Sequence, residues 1–254
     1  HYSKIAENIA SAFHKKYYNP ETGDYANGTQ TMNAVPLVFG ITPSELKEKT
    51  FQQIIKNIKQ HENHFTTGFL GTTYLFRLLS DYGQDELIYK LLNQRDFPSF
   101  GRIIEAGATT MTEAWNAFLG DDFASHNHFN LGAPTEWFFR GLAGIRLLEE
   151  YPAFKRFQIC PAFLPEIDFV RASFYCPYGK IFVEWARKRK EIILKVQVPV
   201  GTSAELILPA KFADSIQESV ISEPSDSQKL NFDASESQAF LILESGSYNF
   251  ELHE

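Results

Sequence analysis

The spacing of apolar positions changes period once along this chain. Up to about position 150 apolar residues recur at helical spacing, and after Tyr151-Pro152 they alternate with polar ones in short runs. Ile5, Ile9, Ala12, Phe13 and Tyr17 share one face of a helix over residues 1–18, which Asn19-Pro20-Glu21-Thr22-Gly23 ends. A second helix, entered through Thr29-Gln30, is predicted to stop near Gly40. Thr42-Pro43-Ser44-Glu45 has the composition of a capping box with Pro at the first helical position, and the helix behind it turns Phe51, Ile54, Ile55 and Ile58 inward. The next helical run carries Leu75, Leu78 and Leu79, with Gly68 and Gly71 in its first turns, where small residues imply close backbone approach. A helix from Asp85 to Gln94 buries Leu87, Ile88, Leu91 and Leu92. Phe97 to Gly101 is expected to be non-helical, and Arg102 to Glu105 a short strand or extended loop. Two more helices are predicted, from Thr109 or Thr110 to Gly120-Asp121-Asp122 and from Pro134 to about Glu150. The second is apolar nearly all round and is expected to be buried.

Beyond Pro152 the alternation predicts strands over 154–161, 169–176, 181–186, 192–199, 204–208, 239–243 and 248–252, with turns at Pro177-Tyr178-Gly179 and Gly201. Short strands separated by turn residues argue for an antiparallel sandwich. The stretch Ser222 to Ser237 is polar and predicts a loop with a weak strand near Leu230 and Phe232. The expected organisation is therefore α+β: about seven helices over residues 1–151, then a β-sandwich over 152–254.

Charge adds an exclusion. The chain of 254 residues has a net charge of −7, and its basic residues are dispersed except at Arg187-Lys188-Arg189-Lys190. That run reads as a solvated strand end or turn, so nucleic acid is not an expected partner. No apolar run approaches the roughly 18 residues of a membrane span, and no secretory signal pattern opens the chain. The first residue is His rather than Met, so a piece of a longer protein is expected. Cys160 and Cys176 fit neither a disulfide scaffold nor a metal motif; they fall in neighbouring predicted strands, which leaves a bridge conceivable, and two free thiols are the favoured reading.

Candidate chemistry concentrates between Gly107 and Arg140. This stretch holds Glu113, Asp121, Asp122 and Glu136, two of the seven histidines and two of the three tryptophans. Such a mixture suits a sugar site, because rings offer flat apolar faces to C–H groups while Asp, Glu, Asn and His bond hydroxyls. Glycoside hydrolysis normally uses two carboxyl groups, one as acid and one as nucleophile or water-activating base, and Glu113 and Glu136 are the candidates.

The runs GATTMTEAW, SHNHFNLGAPTEWFFR, YPAFKRFQICP and CPYGKIFVEW, in that order, resemble the α-L-rhamnosidase family of inverting glycoside hydrolases, over most of residues 20 to 210. The resemblance implies that the helical part is the second half of a barrel of six helix pairs, that a β-sandwich follows, and that the substrate is a rhamnose-containing glycoside or polysaccharide. It also implies that an N-terminal half, with the general acid, belongs to the parent chain, because no counterpart of the family's acidic sugar-binding motif stands upstream of residue 107. No cofactor, metal or membrane is expected.

Residue by residue, the resemblance makes Glu136 the base that activates water. Its place just after Pro134, in a helical first turn, independently favours an ionised carboxylate, although a mere helix-terminal charge would look the same. Glu113, Trp115, Asn127, His128 and Trp137 are the expected substrate-binding residues. Bland readings stand beside them: Glu113 as a buried acid bonded to Thr109 or Thr110, Trp115 as barrel core, Asn127 and His128 as loop fasteners. Where many family members carry a His this chain has Arg156, which keeps open a preference for an anionic sugar or for another glycan, and a non-catalytic carbohydrate-binding or structural module is a third reading.

Overall fold

The computed structural model describes residues 1–118, 120, 124–215, 217–220, 232–234 and 238–253, and it divides into two compact units, His1–Thr135 and Glu136–Glu254.

The first unit is helical. Its elements are α1 (Tyr2–Tyr17), α2 (Gln30–Val38), α3 (Lys47–Gln60), α4 (Phe69–Asp81), α5 (Asp85–Leu92) and α6 (Phe100–Glu105), followed by an irregular stretch and a 3-10 turn over Phe129–Leu131. Helix α3 buries Phe51, Ile54, Ile55 and Ile58, as their spacing predicts, and α4 buries Leu75, Leu78 and Leu79. Each such side chain, fully buried, contributes about 1.5 to 3 kcal/mol. Helices α2 and α4 cross closely because of Gly71: a Cβ there would lie 2.0 Å from Thr31 Oγ1 and 2.9 Å from Thr31 Cβ. Helix α1 buries no residue at all, and Ile9, on its predicted apolar face, is 61% exposed. It is tied at its C-terminal end, where His14 Nδ1 meets the hydroxyl of fully buried Tyr25 at 2.7 Å and Tyr18 bridges Tyr25.

Three local expectations are corrected here. The segment after Phe97-Pro98 is helix rather than strand or loop: Ser99 Oγ accepts the Arg102 amide at 3.0 Å and caps α6, while Phe100 and Ile103 turn into the core. Before α3 the chain forms a 3-10 turn over Ser44–Leu46, with Pro43 at its N-cap and no side-chain cap bond, so the Thr42–Glu45 capping box does not form. No helix carries Glu113 and Trp115; this stretch is turns and bends. The predicted stop at Asp121-Asp122 lies outside the described residues.

Helix α7 (Ala133–Trp137) continues with π geometry over Phe138–Leu142 and then stops. The expected continuation to Glu150 is instead β1 (Ile145–Leu147). Gly144, at φ +76°, makes the break, and a Cβ there would come within 2.3 Å of the Cys160 carbonyl carbon. Nor is this helix buried throughout, since Phe138 and Phe139 are exposed.

Among the described residues the second unit is a sandwich of two five-stranded sheets. Beyond β1 its strands are β2 (Arg156–Ile159), β3 (Phe169–Cys176), β4 (Gly179–Lys188), β5 (Glu191–Val198), β6 (Ser203–Pro209), β7 (Gln217–Val220), β8 (Phe232–Ala234), β9 (Gln238–Leu243) and β10 (Gly246–His253). One sheet runs β1-β2-β6-β9-β8 and the other β3-β4-β5-β10-β7. All pairs are antiparallel except β2 with β6. The facing sides of both sheets supply one core, in which Phe157, Ile159 and Leu206 of the first sheet join Ile181, Val183, Trp185 and Leu194 of the second. The basic run Arg187–Lys190 closes the β4–β5 hairpin, where Lys188 faces Glu191 across the turn. Of the polar stretch Ser222–Ser237 only β8 falls within the described residues, and it includes Phe232. Neither Cys160 nor Cys176 is in a disulfide.

Candidate active site

Trp115 is held from three sides. Its indole N–H donates to the Thr67 carbonyl at 2.7 Å, one ring face stacks on Phe65 at 5.2 Å and 14°, and Phe100 stands edge-on at 4.9 Å. The ring is half-buried, so part of its edge and face remains presentable while its polar N–H is already used.

Glu113 is fastened to Ser125 rather than to Thr109 or Thr110. The Glu113 amide donates to the Ser125 carbonyl at 2.9 Å, and Glu113 Oε2 accepts the Ser125 amide at 2.9 Å. Two residues earlier the Met111 carbonyl accepts the His128 amide at 2.8 Å. These bonds lay 111–113 against 125–128, with Glu113 paired to Ser125 and Met111 to His128. The resulting loop is stapled further by His126, which the sequence left without a role: its Nε2 meets the Ala117 carbonyl at 2.7 Å, its ring stacks on Phe118, and its carbonyl accepts Thr110 Oγ1.

His128 is half-buried, and its Nδ1 accepts the Asn130 amide at 3.2 Å. An acceptor Nδ1 places the proton of the neutral imidazole on Nε2, which makes Nε2–H a donor. Phe129, stacked on His128 at 4.9 Å, is 85% exposed. Asn127 is also exposed, with its backbone bonded to Ser125 Oγ.

In the second unit Glu136 is half-buried in the short α7 turn, and Trp137 beside it is 3% exposed, so its ring presents no face to solvent. Arg156 is paired with Glu205 at 2.8 Å and lies over the Tyr151 ring at 5.5 Å. Its charge is thus already balanced within the sandwich, which removes the ground for expecting an anionic sugar there. Among the described residues no group of three or more His, Cys, Asp and Glu side chains converges as a metal-ligand set.

The model of the bacterial α-L-rhamnosidase six-hairpin glycosidase domain matches residues 1–142, more than half of the chain, and that of the bacterial α-L-rhamnosidase C-terminal domain matches 144–221. The chain belongs to the bacterial α-L-rhamnosidase family. An α-L-rhamnosidase of Formosa agariphila is 31% identical over 222 residues, 85% of this chain and 24% of the relative. The structure of the α-L-rhamnosidase from Dictyoglumus thermophilum superposes with a TM-score of 0.87 at 30% identity, over all of this chain and 28% of that one. A Streptomyces avermitilis α-L-rhamnosidase complexed with L-rhamnose gives a TM-score of 0.87 at 28% identity, over 99% of this chain and 24% of that one. The chain thus spans about a quarter of the length of the rhamnosidases it matches, and its helical unit followed by a β-sandwich is the partial barrel and β domain that family membership leads one to expect.

Ser125, Phe65 and Thr67 are site-supporting residues that the sequence did not single out. Only Ser125 carried a signal, as the first residue of the S-x-N-H run; Phe65 and Thr67 reach Trp115 through contacts far apart in the chain.

Proposed function

We propose that this chain is the part of an inverting α-L-rhamnosidase that supplies the water-activating base, Glu136, and one wall of the sugar subsite. The observation that carries the reading is the Glu113–Ser125 and Met111–His128 ladder in a chain of this family, because it gathers an acceptor carboxylate, an exposed amide and an imidazole Nε2–H donor into one loop. Such a set matches the alternating donors and acceptors of vicinal sugar hydroxyls. The half-buried edge of Trp115 supplies the apolar face. Trp137, enclosed as it is, serves as packing behind Glu136 rather than as a stacking ring.

In this mechanism Glu136 takes a proton from a water that attacks the anomeric carbon on the face opposite the leaving group. The geometry of inversion requires base and acid to stand roughly 6.5 to 9.5 Å apart, with the water between base and sugar. We place the acid outside residues 1–106, where the acids of the two clusters, Glu45 to Glu48 and Asp81 to Glu86, are exposed apart from Asp85.

The test uses a protein that carries this chain at the length of its relatives. Proton NMR should show the first-formed rhamnose with inverted anomeric configuration, and Glu136→Gln should lower kcat by about 10² to 10⁴ while leaving rhamnose binding nearly unchanged. A retained configuration, or a Glu136→Gln enzyme with ordinary kcat, would remove Glu136 from the role of base.

A further inference from the structure

The segment 64–67 has no regular secondary structure, yet it carries both supports of Trp115: the Phe65 ring under its face and the Thr67 carbonyl on its indole N–H. Phe65 and Thr67 are buried, so the backbone groups of this segment need partners inside the protein. Two of them, the His64 carbonyl and the Thr66 amide, find partners in one side chain. Gln30, the first residue of α2 and 0% exposed, donates its Nε2–H to the His64 carbonyl at 3.0 Å, and its Oε1 accepts the Thr66 amide at 3.0 Å. The amide thereby makes a two-bond rung of the kind a neighbouring strand would make, and it meets the segment just ahead of the residue that bonds Trp115. A buried Gln placed in a helix merely to fill core would be a poor choice, since each of its polar atoms costs free energy unless bonded.

We propose that Gln30 is a positioning residue for the sugar subsite, which fixes the ring of Trp115 through the backbone of residues 64–67. Other attachments of the segment are consistent with this division of labour. His64 is held from its side chain by Asp96 at 2.9 Å and by the His61 carbonyl at 3.0 Å, and Thr67 Oγ1 pairs with Thr72 Oγ1 at 2.7 Å. Those bonds anchor the two ends. Gln30 holds the backbone between them, at the His64 carbonyl and the Thr66 amide.

The inference rests on the proposed role of Trp115 at the sugar, and the experiment separates the two. In an enzyme carrying this chain at the length of its relatives, labelled with 5-fluorotryptophan, the Trp115 fluorine resonance is assigned by its disappearance in Trp115→Phe. Gln30→Ala is expected to shift or broaden that resonance and to raise KM for an aryl α-L-rhamnoside about tenfold, with kcat changed less than about threefold. Gln30→Glu, which keeps the acceptor for Thr66 but sets a carboxylate oxygen against the His64 carbonyl, serves if the alanine variant does not fold, and the same shift and KM rise are expected. Thr50→Val, which removes the bond from Thr50 Oγ1 to the Gly23 carbonyl elsewhere in the unit, should leave the Trp115 resonance and KM alone. A Trp115 resonance unmoved in a folded Gln30 variant, or moved as much by Thr50→Val, overturns the proposal. If the resonance moves while Trp115→Ala leaves KM unchanged, Gln30 does position Trp115, and it is the sugar role of Trp115 that fails.

Discussion

Glu113 and Ser125 exchange two bonds, the carboxylate accepting the Ser125 amide and the Glu113 amide meeting the Ser125 carbonyl, each at 2.9 Å. One carboxylate oxygen is therefore committed to the loop, and the proposed sugar contact of Glu113 falls to Oε1. The two functions can be separated by substitution.

Glu113→Gln keeps an oxygen for Ser125 and turns the remaining acceptor into a donor. It should leave thermal stability close to that of the wild type and raise KM roughly tenfold, which corresponds to about 1.4 kcal/mol of lost binding. Glu113→Ala leaves the Ser125 amide unbonded as well and should cost about 1 to 3 kcal/mol of stability. Denaturant titration and steady-state kinetics on the same preparations check both. An Ala variant as stable as the wild type would show that the loop does not depend on this bond.

Gly71 provides a packing test of the helical unit. Its missing side chain lets α4 lie against Thr31 of α2. Gly71→Ala should destabilise by about 1 to 3 kcal/mol through overpacking. Thr31→Ala in the same chain should recover only part of this, because the Cβ of residue 31 is itself 2.9 Å from the added atom. Thermal melts of the single and double variants measure the coupling.

Strands β2 to β6, β9 and β10 were legible to within a residue or two, since a sandwich with one inward face per sheet imposes period-2 burial, and β5 and β9 alternate without a break; β1 was read as helix and β7 was not anticipated. Helices α3 and α4 were legible for the analogous reason. What the pattern missed is held by contacts far apart in the chain. Glu113 has helix-compatible neighbours, but its bonds go to Ser125, and no local rule announces them. The end of the Pro134 helix did carry a local signal, Gly144 after Leu142-Ala143, which the continuing apolar run to Leu148 outweighed. Of the candidate site residues, Glu136, Trp115 and the Asn127-His128 pair came from motif resemblance, whereas the bonds of Gln30 to residues 64 and 66 and of Thr67 to Trp115 join positions far apart in the chain, which composition cannot show.

A pH dependence follows from the pair that anchors residue 64. Burial lowers the His64 pKa, but the bonds to Asp96 and the His61 carbonyl and the charge of Asp96 outweigh it, and the imidazole titrates above its ordinary value. The bond to His64 holds Asp96 below the usual carboxylate value. For His64 the raised pKa means that its stabilisation is full below about pH 6.5 and is lost as pH rises through the folded value; for Asp96 the lowered one means that it is present above about pH 3.9 and lost as pH falls through the folded value. The pair should therefore contribute most between about pH 4 and 6.5. Asp96→Asn should flatten this part of the stability profile, as followed by thermal melts from acid to neutral pH. An unchanged profile would show that the pair does not couple to unfolding.

Residues 1–254 alone are expected to show no measurable rhamnosidase turnover. Inverting hydrolysis needs an acid as well as a base, and one positioned proton-transfer group is worth about 10²- to 10⁴-fold. Positioning of the sugar adds several kcal/mol more, and a chain a quarter the length of its relatives offers only part of that wall. Ile9 exposed on α1, with no residue of that helix buried, points the same way: the helical unit presents an apolar face that water covers at a cost. The assay is release of nitrophenol from an aryl α-L-rhamnoside by the purified chain, with the Glu136→Gln chain as background. Turnover above that background would place an acid within these residues, and its loss on Glu113→Gln would identify Glu113 and Glu136 as the catalytic pair.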